Sequence, residues 1–118
     1  MKTVEEWMKQ ADYDIETAQS MFDTGRYIYT IFMCHLSIEK ALKGLFTKVI
    51  KEIPPKIHDL LYLIRRIDLE LEENEKDIII ELNELSIPTR YPEELNKLIR
   101  IYKVEKTKNL LLKSKEVL

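Results

Sequence analysis

Two histidines and one arginine are the residues of this sequence best suited to chemistry. They are His35, His58 and Arg90, which stands between Pro88 and Pro92. A histidine can carry a proton to or from a ribose 2′-hydroxyl or a leaving oxygen. An arginine can stabilise charge on a phosphate. RNA cleavage without a metal would use such a pair, so the candidate catalytic residues are Arg90, His58 and His35, although spacing alone does not show that they meet.

A second group of polar residues falls within an otherwise apolar stretch. His35 and Glu39 are one helical turn apart, and Lys43 follows Glu39 at the spacing that favours an ion pair. Buried polar groups cost several kcal/mol unless they are paired, so these residues either face a polar pocket or are satisfied locally. The plainer alternative is a satisfied core histidine with a surface Glu39–Lys43 pair. The predicted ligand-binding residues are Arg90, Tyr91, His58, Glu39, Lys40 and Lys43.

Other familiar chemistry has no signal in the sequence. There is no glycine-rich phosphate loop, CxxC, HExxH or GxSxG motif. A metal site needs three or four ligands, and only His35 with Glu39 offers a plausible helical pair. We therefore predict neither a metal nor a cofactor. The single cysteine, Cys34, cannot form an intrachain disulfide, which indicates a reduced, cytoplasmic protein.

One long helix is predicted to position most of these residues. Between Arg26 and Lys51, apolar residues recur at steps of three and four, the period of an α-helix. The first half of this stretch is apolar almost all round, so it must be covered on several sides, in a bundle or at a subunit interface. The apolar stripe includes Ile28, Ile31, Phe32, Ile38, Leu42, Leu45, Phe46 and Val49.

Local start and stop signals divide the rest of the chain into further helices. The signals are Thr3 with Glu6 as a capping box, Gly25 as a helix end, Pro54-Pro55 as a break, and Asp59 and Asn74 as caps. The segment 93–101 is either a short helix or a loop, and a last helix is expected over 103–116. We predict an all-α, up-and-down bundle of four to five helices, forming one domain over residues 1–118.

Composition and charge narrow the classes of partner. No uncharged run approaches the roughly 20 residues of a membrane span, so no membrane is expected. The net charge is −2, which does not predict nucleic-acid binding. A basic stretch from Lys97 to Lys115 nevertheless permits contact with RNA, although a solvated charged helix face is the more common explanation of such a stretch.

In the order and spacing of several short motifs the chain resembles the HEPN family of small helical domains. The motifs are Trp7 with Ala11-Asp12-Tyr13 and Ala18, Gly25-Arg26-Tyr27, Ser37-Ile38-Glu39-Lys40-Ala41-Leu42-Lys43, His58-Asp59-Leu60 and Thr89-Arg90-Tyr91-Pro92. The resemblance covers nearly the whole chain. It implies a HEPN-like bundle that usually forms a homodimer and often works beside a minimal nucleotidyltransferase in a toxin–antitoxin or nucleotidyltransferase system.

The resemblance also implies a possible activity, from which this sequence departs. Many HEPN proteins are metal-independent ribonucleases whose site is an arginine followed, after four to six residues, by a histidine. Here no histidine follows an arginine at that spacing. Arg90 is where such a motif could begin, but Leu95, Asn96 and Lys97 occupy the downstream positions. Activity of the usual kind is therefore not expected.

Three hypotheses remain open from the sequence. The first is a dimeric component that binds RNA or a nucleotide and works with a nucleotidyltransferase. The second is an active ribonuclease toxin with a non-standard pair, Arg90 with His58 or His35. The third is a purely structural helical partner subunit whose interface is the apolar first half of the long helix. The structural hypothesis is favoured if Arg90, His58 and Glu39 are all satisfied within one protomer.

Overall fold

The computed structural model describes residues 2–85 and 95–117 of the chain, with the backbone alone for residues 95 and 96. These residues form six α-helices: α1 (Val4–Asp23), α2 (Tyr27–Ile50), α3 (Leu60–Ile67), α4 (Glu73–Leu85), α5 (Leu95–Ile101) and α6 (Val104–Val117). The predicted all-α fold is confirmed. The ambiguous segment 93–101 supplies the short α5, which explains why the described residues hold one helix more than the upper prediction.

The first helical hairpin is fixed by local signals at both ends of α1. The Thr3 hydroxyl accepts a hydrogen bond from the Glu6 backbone N–H, at 3.1 Å, as the capping box predicts. At the other end, Gly25 adopts a left-handed φ of 77°. The Arg26 N–H then donates back to the Met21 carbonyl at 2.7 Å, which closes the helix end. The chain reverses there, so α2 packs antiparallel along α1.

Helix α2 is the centre of the bundle. It contacts α1, α3, α4, α5 and α6, which explains why its first half is apolar almost all round. Close approach to α1 is possible at Gly44, because a side chain there would meet Trp7 at 3.1 Å. The helix ends at Lys51, which is left-handed with a φ of 62°, three residues before the predicted proline break.

Of the two predicted N-caps that follow, the cap of α3 is confirmed and the cap of α4 is wrong. Asp59 caps α3 as expected, because its carboxylate accepts from the Tyr62 N–H at 3.2 Å. Asn74, predicted as the cap of α4, lies instead within the first turn of a helix that begins at Glu73. The Glu75 carboxylate accepts from the Glu72 N–H at 3.0 Å. This bond from a side chain back to the backbone three residues earlier makes Glu72 the capped residue in place of Asn74, so the helix begins earlier in the chain than predicted.

Within the residues that the structure describes, none of the helices is long and apolar enough to cross a bilayer. This agrees with the sequence, since each helix long enough to span carries several charged residues.

The Cys34 thiol should be unreactive in the native protein. It is fully buried on α2, and burial raises its pKa to about 11 from an ordinary value of 9.0. At pH 8 the thiolate is the reactive form, so we expect Ellman's reagent to label native protein far more slowly than denatured protein. Equal labelling rates in both states would contradict the buried position.

The same raised pKa makes stability fall in alkali. Between pH 9 and 11 the unfolded thiol loses its proton while the native thiol keeps it, so the native state is disfavoured as pH rises, by roughly 2 to 3 kcal/mol at the end of this window. Burial also raises the pKa of Tyr102, which acts in the same direction. The free energy of unfolding of a Cys34→Ala variant should therefore fall less steeply between pH 9 and 11 than that of the wild type. An equal fall in both proteins would show that the thiol is not its cause.

Candidate functional site

The predicted polar residues of α2 lie around one buried carboxylate, that of Glu39. Only 2 % of the Glu39 side chain is exposed. Its Oε2 atom accepts a hydrogen bond from the Lys43 ammonium at 3.1 Å, and its Oε1 atom lies 2.8 Å from Nδ1 of His58. The predicted Glu39–Lys43 pair therefore exists. The pair is buried and does not lie on the surface, because α1 and the segment before α3 cover it.

His58 is the exposed member of this group. A carboxylate can only accept, so Nδ1 of His58 carries the proton of its hydrogen bond to Glu39. The side chain is 54 % exposed. Among the residues that the structure describes, none bonds its second ring nitrogen, Nε2. The buried carboxylate thus orients an imidazole whose other nitrogen remains available to a ligand.

The backbone of His58 is held as firmly as its ring. Nε2 of His35, on the buried side of α2, lies 3.1 Å from the His58 carbonyl and must donate to it. The next residue, Asp59, caps α3. The Leu60 N–H donates to the Asn83 side chain at 2.8 Å, which ties this segment to α4. Contacts with three helices therefore fix the place from which the imidazole projects.

His35 itself is a bracing residue in this arrangement. It is 1 % exposed, and its Nδ1 atom lies 3.9 Å from the Glu39 carboxylate. The structure therefore brings the two predicted histidines together around Glu39, which sequence spacing alone did not show. Of the two imidazoles, only that of His58 is accessible from solvent.

Lys43 and Lys40 point to different neighbours. The Lys43 ammonium lies 5.9 Å from the centre of the Trp7 ring as well as against Glu39, so it is enclosed by α1. Lys40 lies 3.7 Å from the Asp14 carboxylate on α1. Burial raises the pKa of Asp14, an effect that Lys40 opposes and Glu39 reinforces. Asp14 carries no signal in the sequence that would link it to this site, because only the packing of α1 against α2 brings it to Lys40.

Two predicted site residues, Arg90 and Tyr91, lie outside the described residues. The proposed pairing of Arg90 with a histidine therefore stays a prediction. Among the described residues, no group of three or more histidine, cysteine, aspartate or glutamate side chains is arranged to hold a metal. The described part of the site is a buried Glu39–Lys43 pair that presents one oriented imidazole.

This arrangement allows two kinds of chemistry. A neutral His58 can accept the proton of a hydroxyl group through Nε2, as a general base oriented by a carboxylate. A protonated His58 can donate from Nε2 to a phosphate oxygen, a hydrogen bond strengthened by charge. A purely structural role would require every candidate residue to find its hydrogen-bond partners within one protomer. Glu39 does so, but Nε2 of His58 has no partner among the described residues.

Comparison with known proteins supports one family. A family model described as HEPN domain matches residues 4–118. Among solved structures, TT1696 from Thermus thermophilus is similar, with a TM-score of 0.80, 24 % identity and coverage of 99 % of this chain and 94 % of that chain. ST0689, described as an archaeal HEPN homologue, has a TM-score of 0.74 and 23 % identity, covering 99 % and 93 %. Identities this low show likeness of fold alone. No curated protein matches the chain.

Proposed function

Because the chain belongs to the HEPN domain family, we propose that it is the RNA- or nucleotide-binding component of a toxin–antitoxin or nucleotidyltransferase system. It would act in the cytoplasm as a single-domain protein that forms a homodimer, beside a minimal nucleotidyltransferase. The observation that carries the binding function is the 2.8 Å contact between the buried Glu39 and the half-exposed His58, which leaves one imidazole nitrogen for a phosphate or a ribose hydroxyl.

The chemistry of the surrounding residues supports an anionic ligand. Glu39 already has Lys43 as its counterion, so a protonated His58 adds a positive charge that the buried pair does not cancel. Arg90 and Tyr91 would complete the site by contacting phosphate and base. Lys40 and Lys43 would contact the ligand only at its edge, because each is already paired with a carboxylate, that of Asp14 and that of Glu39. Because the chain lacks a histidine at the usual spacing after an arginine, binding is favoured over cleavage.

The RNA-binding function is tested by the affinity of the purified protein for a labelled single-stranded RNA, measured by fluorescence anisotropy, with ATP as a competitor. We expect His58→Ala to weaken binding about tenfold or more, because one charge-assisted hydrogen bond is lost. Lys9→Ala, on the exposed face of α1, is the matched control and should bind almost as tightly as the wild type. Equal binding by His58→Ala, or no binding by the wild-type protein, would contradict the proposal.

The nucleotidyltransferase part of the proposal has a separate test. The chain would be co-expressed with a minimal nucleotidyltransferase encoded beside it in its own genome, and the two would be purified together through a tag on one of them. We expect a stable complex. Separate elution of both proteins would contradict the partnership and leave RNA binding untouched.

The second candidate is a metal-independent ribonuclease, and the Glu39–His58 contact favours it. A carboxylate that orients an imidazole is the arrangement of a general base, and His58, unlike the buried His35, is accessible. Arg90 would stabilise the phosphate. The test is RNA cleavage in EDTA by the wild type, His58→Ala and Arg90→Ala. Loss of cleavage in both variants would support this candidate, and no cleavage by the wild type would remove it.

A further inference from the structure

A groove at the start of α2 is lined by none of the described residues of the Glu39 site. It has a volume of about 740 Å³ and lies where α2 begins beside the junction of α5 and α6. Pockets of roughly 300–1,000 Å³ are of the size that holds a small ligand. Tyr27, which lines the groove, is twelve residues before Glu39, or about 18 Å along a helix axis. The groove and the Glu39 site are therefore separate places on one helix.

Among the described residues that line the groove, the charged ones are both cations. They are Arg26 and Lys103, and both side chains are exposed. Neither forms an ion pair with a described residue. Lys103 belongs to the basic stretch from Lys97 to Lys115, which the Glu39 site does not use. Unpaired cations beside a groove draw an anion into it.

Acidic residues are close by but do not line the groove. The Glu81 carboxylate accepts a hydrogen bond from the Tyr102 hydroxyl at 2.7 Å, and Glu84 is close enough to help raise the pKa of Tyr102. On the same side chain, the Lys106 ammonium lies 4.8 Å from the ring centre. Charges of both signs thus surround Tyr102, and the lining itself keeps a positive excess.

Three tyrosines line the same groove, and one of them presents an open ring. Tyr29 is 57 % exposed. Tyr27 packs against Phe22 with ring centres 5.5 Å apart, and Tyr102 is buried, so these two rings are held in place. Ile99 of α5 also lines the groove and is half exposed. Nucleobases stack on aromatic rings and are also held between aromatic and apolar side chains.

The first turn of α2 adds hydrogen-bond donors to this positive lining. No side chain caps the helix, and no acid lies in its first turn. The first backbone N–H groups of a helix have no partner within it, and they form the positive end of its dipole. Arg26 is the N-cap residue, so an anion held by its guanidinium lies beside these donors.

We infer that this groove holds one nucleotide unit, with its base stacked on Tyr29 and its phosphate paired with Arg26 and Lys103. A bare phosphate would leave the open tyrosine ring unused, and an apolar partner would leave two cations unpaired. A nucleotide uses both features. Its source is either a single-stranded RNA or a free nucleotide. The inference rests on the proposed function for this class of ligand, but not on His58.

The first test is the affinity for a labelled single-stranded oligoadenylate, measured by fluorescence anisotropy. We expect Tyr29→Ala to weaken binding about tenfold, because one base loses its stacking partner. Tyr29→Phe keeps the ring and should bind like the wild type. The matched control is Tyr13→Ala, since Tyr13 is 71 % exposed on α1, and its affinity should not change. Circular dichroism checks that the variants remain folded.

The second test is the salt dependence of the same binding. Each phosphate contact on a single strand contributes about 0.7 to the slope of the logarithm of affinity against the logarithm of salt concentration. Arg26→Gln and Lys103→Gln should each lower the slope by about that amount, a change that a merely structural role would not produce. Lys9→Gln, which removes an exposed lysine of α1, is the matched control and should keep the wild-type slope.

The source of the nucleotide is distinguished by titrating AMP into the same proteins in a calorimeter. AMP binding that is lost in Tyr29→Ala but kept in His58→Ala would identify a free nucleotide. Oligoadenylate binding that Tyr29→Ala weakens, with no AMP binding by the wild type, would identify an RNA strand. Either result supports the groove as a nucleotide site.

The remaining outcomes separate this inference from the proposed function. If Tyr29→Ala binds like the wild type while His58→Ala binds weakly, the groove is overturned and the proposed function stands. The reverse result supports the groove and contradicts the Glu39 site. If Tyr29→Ala keeps its affinity but has a smaller mass by light scattering than the wild type, the groove is a protein interface and the inference is wrong. A wild-type protein that binds neither ligand overturns both.

Discussion

Replacing Phe46 by alanine is expected to lower the free energy of unfolding by about 3–5 kcal/mol, the usual cost of deleting a buried aromatic ring. Phe46 is 2 % exposed on α2, and the guanidinium of Arg66 lies 5.4 Å from its ring centre. The helix that carries it contacts the five others described, so no neighbour can collapse into the space without disturbing another. Chemical denaturation monitored by circular dichroism measures the change.

Two further variants show whether the effect comes from the core. Phe46→Leu keeps most of the apolar volume and should cost less than about 1.5 kcal/mol. Tyr13→Ala removes an aromatic ring that is 71 % exposed on α1, so its change should stay within about 0.5 kcal/mol. A loss below about 1 kcal/mol for Phe46→Ala would contradict the central position of α2.

The helix ends were predictable because their signals are local. Thr3 with Glu6, Gly25, and Asp59 each act through atoms a few residues away, and the structure places all of them as the sequence indicated. The start of α4 was not predictable, because the Glu75 side chain and Asn74 are both able to mark the start of a helix, and Glu75 does so. When two local signals are of similar strength, the packing of the neighbouring helices decides which of them sets the helix start.

The extent of burial could not be read from helical periodicity alone. Phe32 and Phe46 belong to the same apolar stripe, yet Phe46 is fully buried and Phe32 only partly so. The Glu39–Lys43 pair follows from a spacing of four residues, but that spacing is equally compatible with a surface pair. Burial depends on which helices dock against each side of α2, and it is therefore a tertiary property.

The contact that organises the candidate site was the least predictable feature. His58 is nineteen residues from Glu39 in the chain, and no periodic pattern links them. The two meet because Lys51 ends α2 in a left-handed conformation and the following segment returns along the helix. The sequence supplied both residue types as candidates, but only the fold brings them together with His35 on one carboxylate.

Replacing Glu39 by glutamine should cost about 3–5 kcal/mol of stability, because it leaves the buried Lys43 ammonium without its counterion. Only 8 % of the Lys43 side chain is exposed, so water cannot take the place of the carboxylate. The glutamine would also have to accept from both Lys43 and His58 with a single oxygen. Urea denaturation measures the loss, and Glu16→Gln, on the exposed face of α1, should change stability by less than about 0.5 kcal/mol.

Removing both charges should recover most of that loss. In Glu39→Met/Lys43→Met no charge is left buried, and replacing a buried ion pair by apolar side chains of similar volume is often close to neutral. His58 can then bond to water, because its side chain is half exposed. The double variant should be stable yet bind RNA as weakly as His58→Ala, since its imidazole is no longer oriented. A double variant that binds RNA like the wild type would show that Glu39 stabilises the fold without positioning His58.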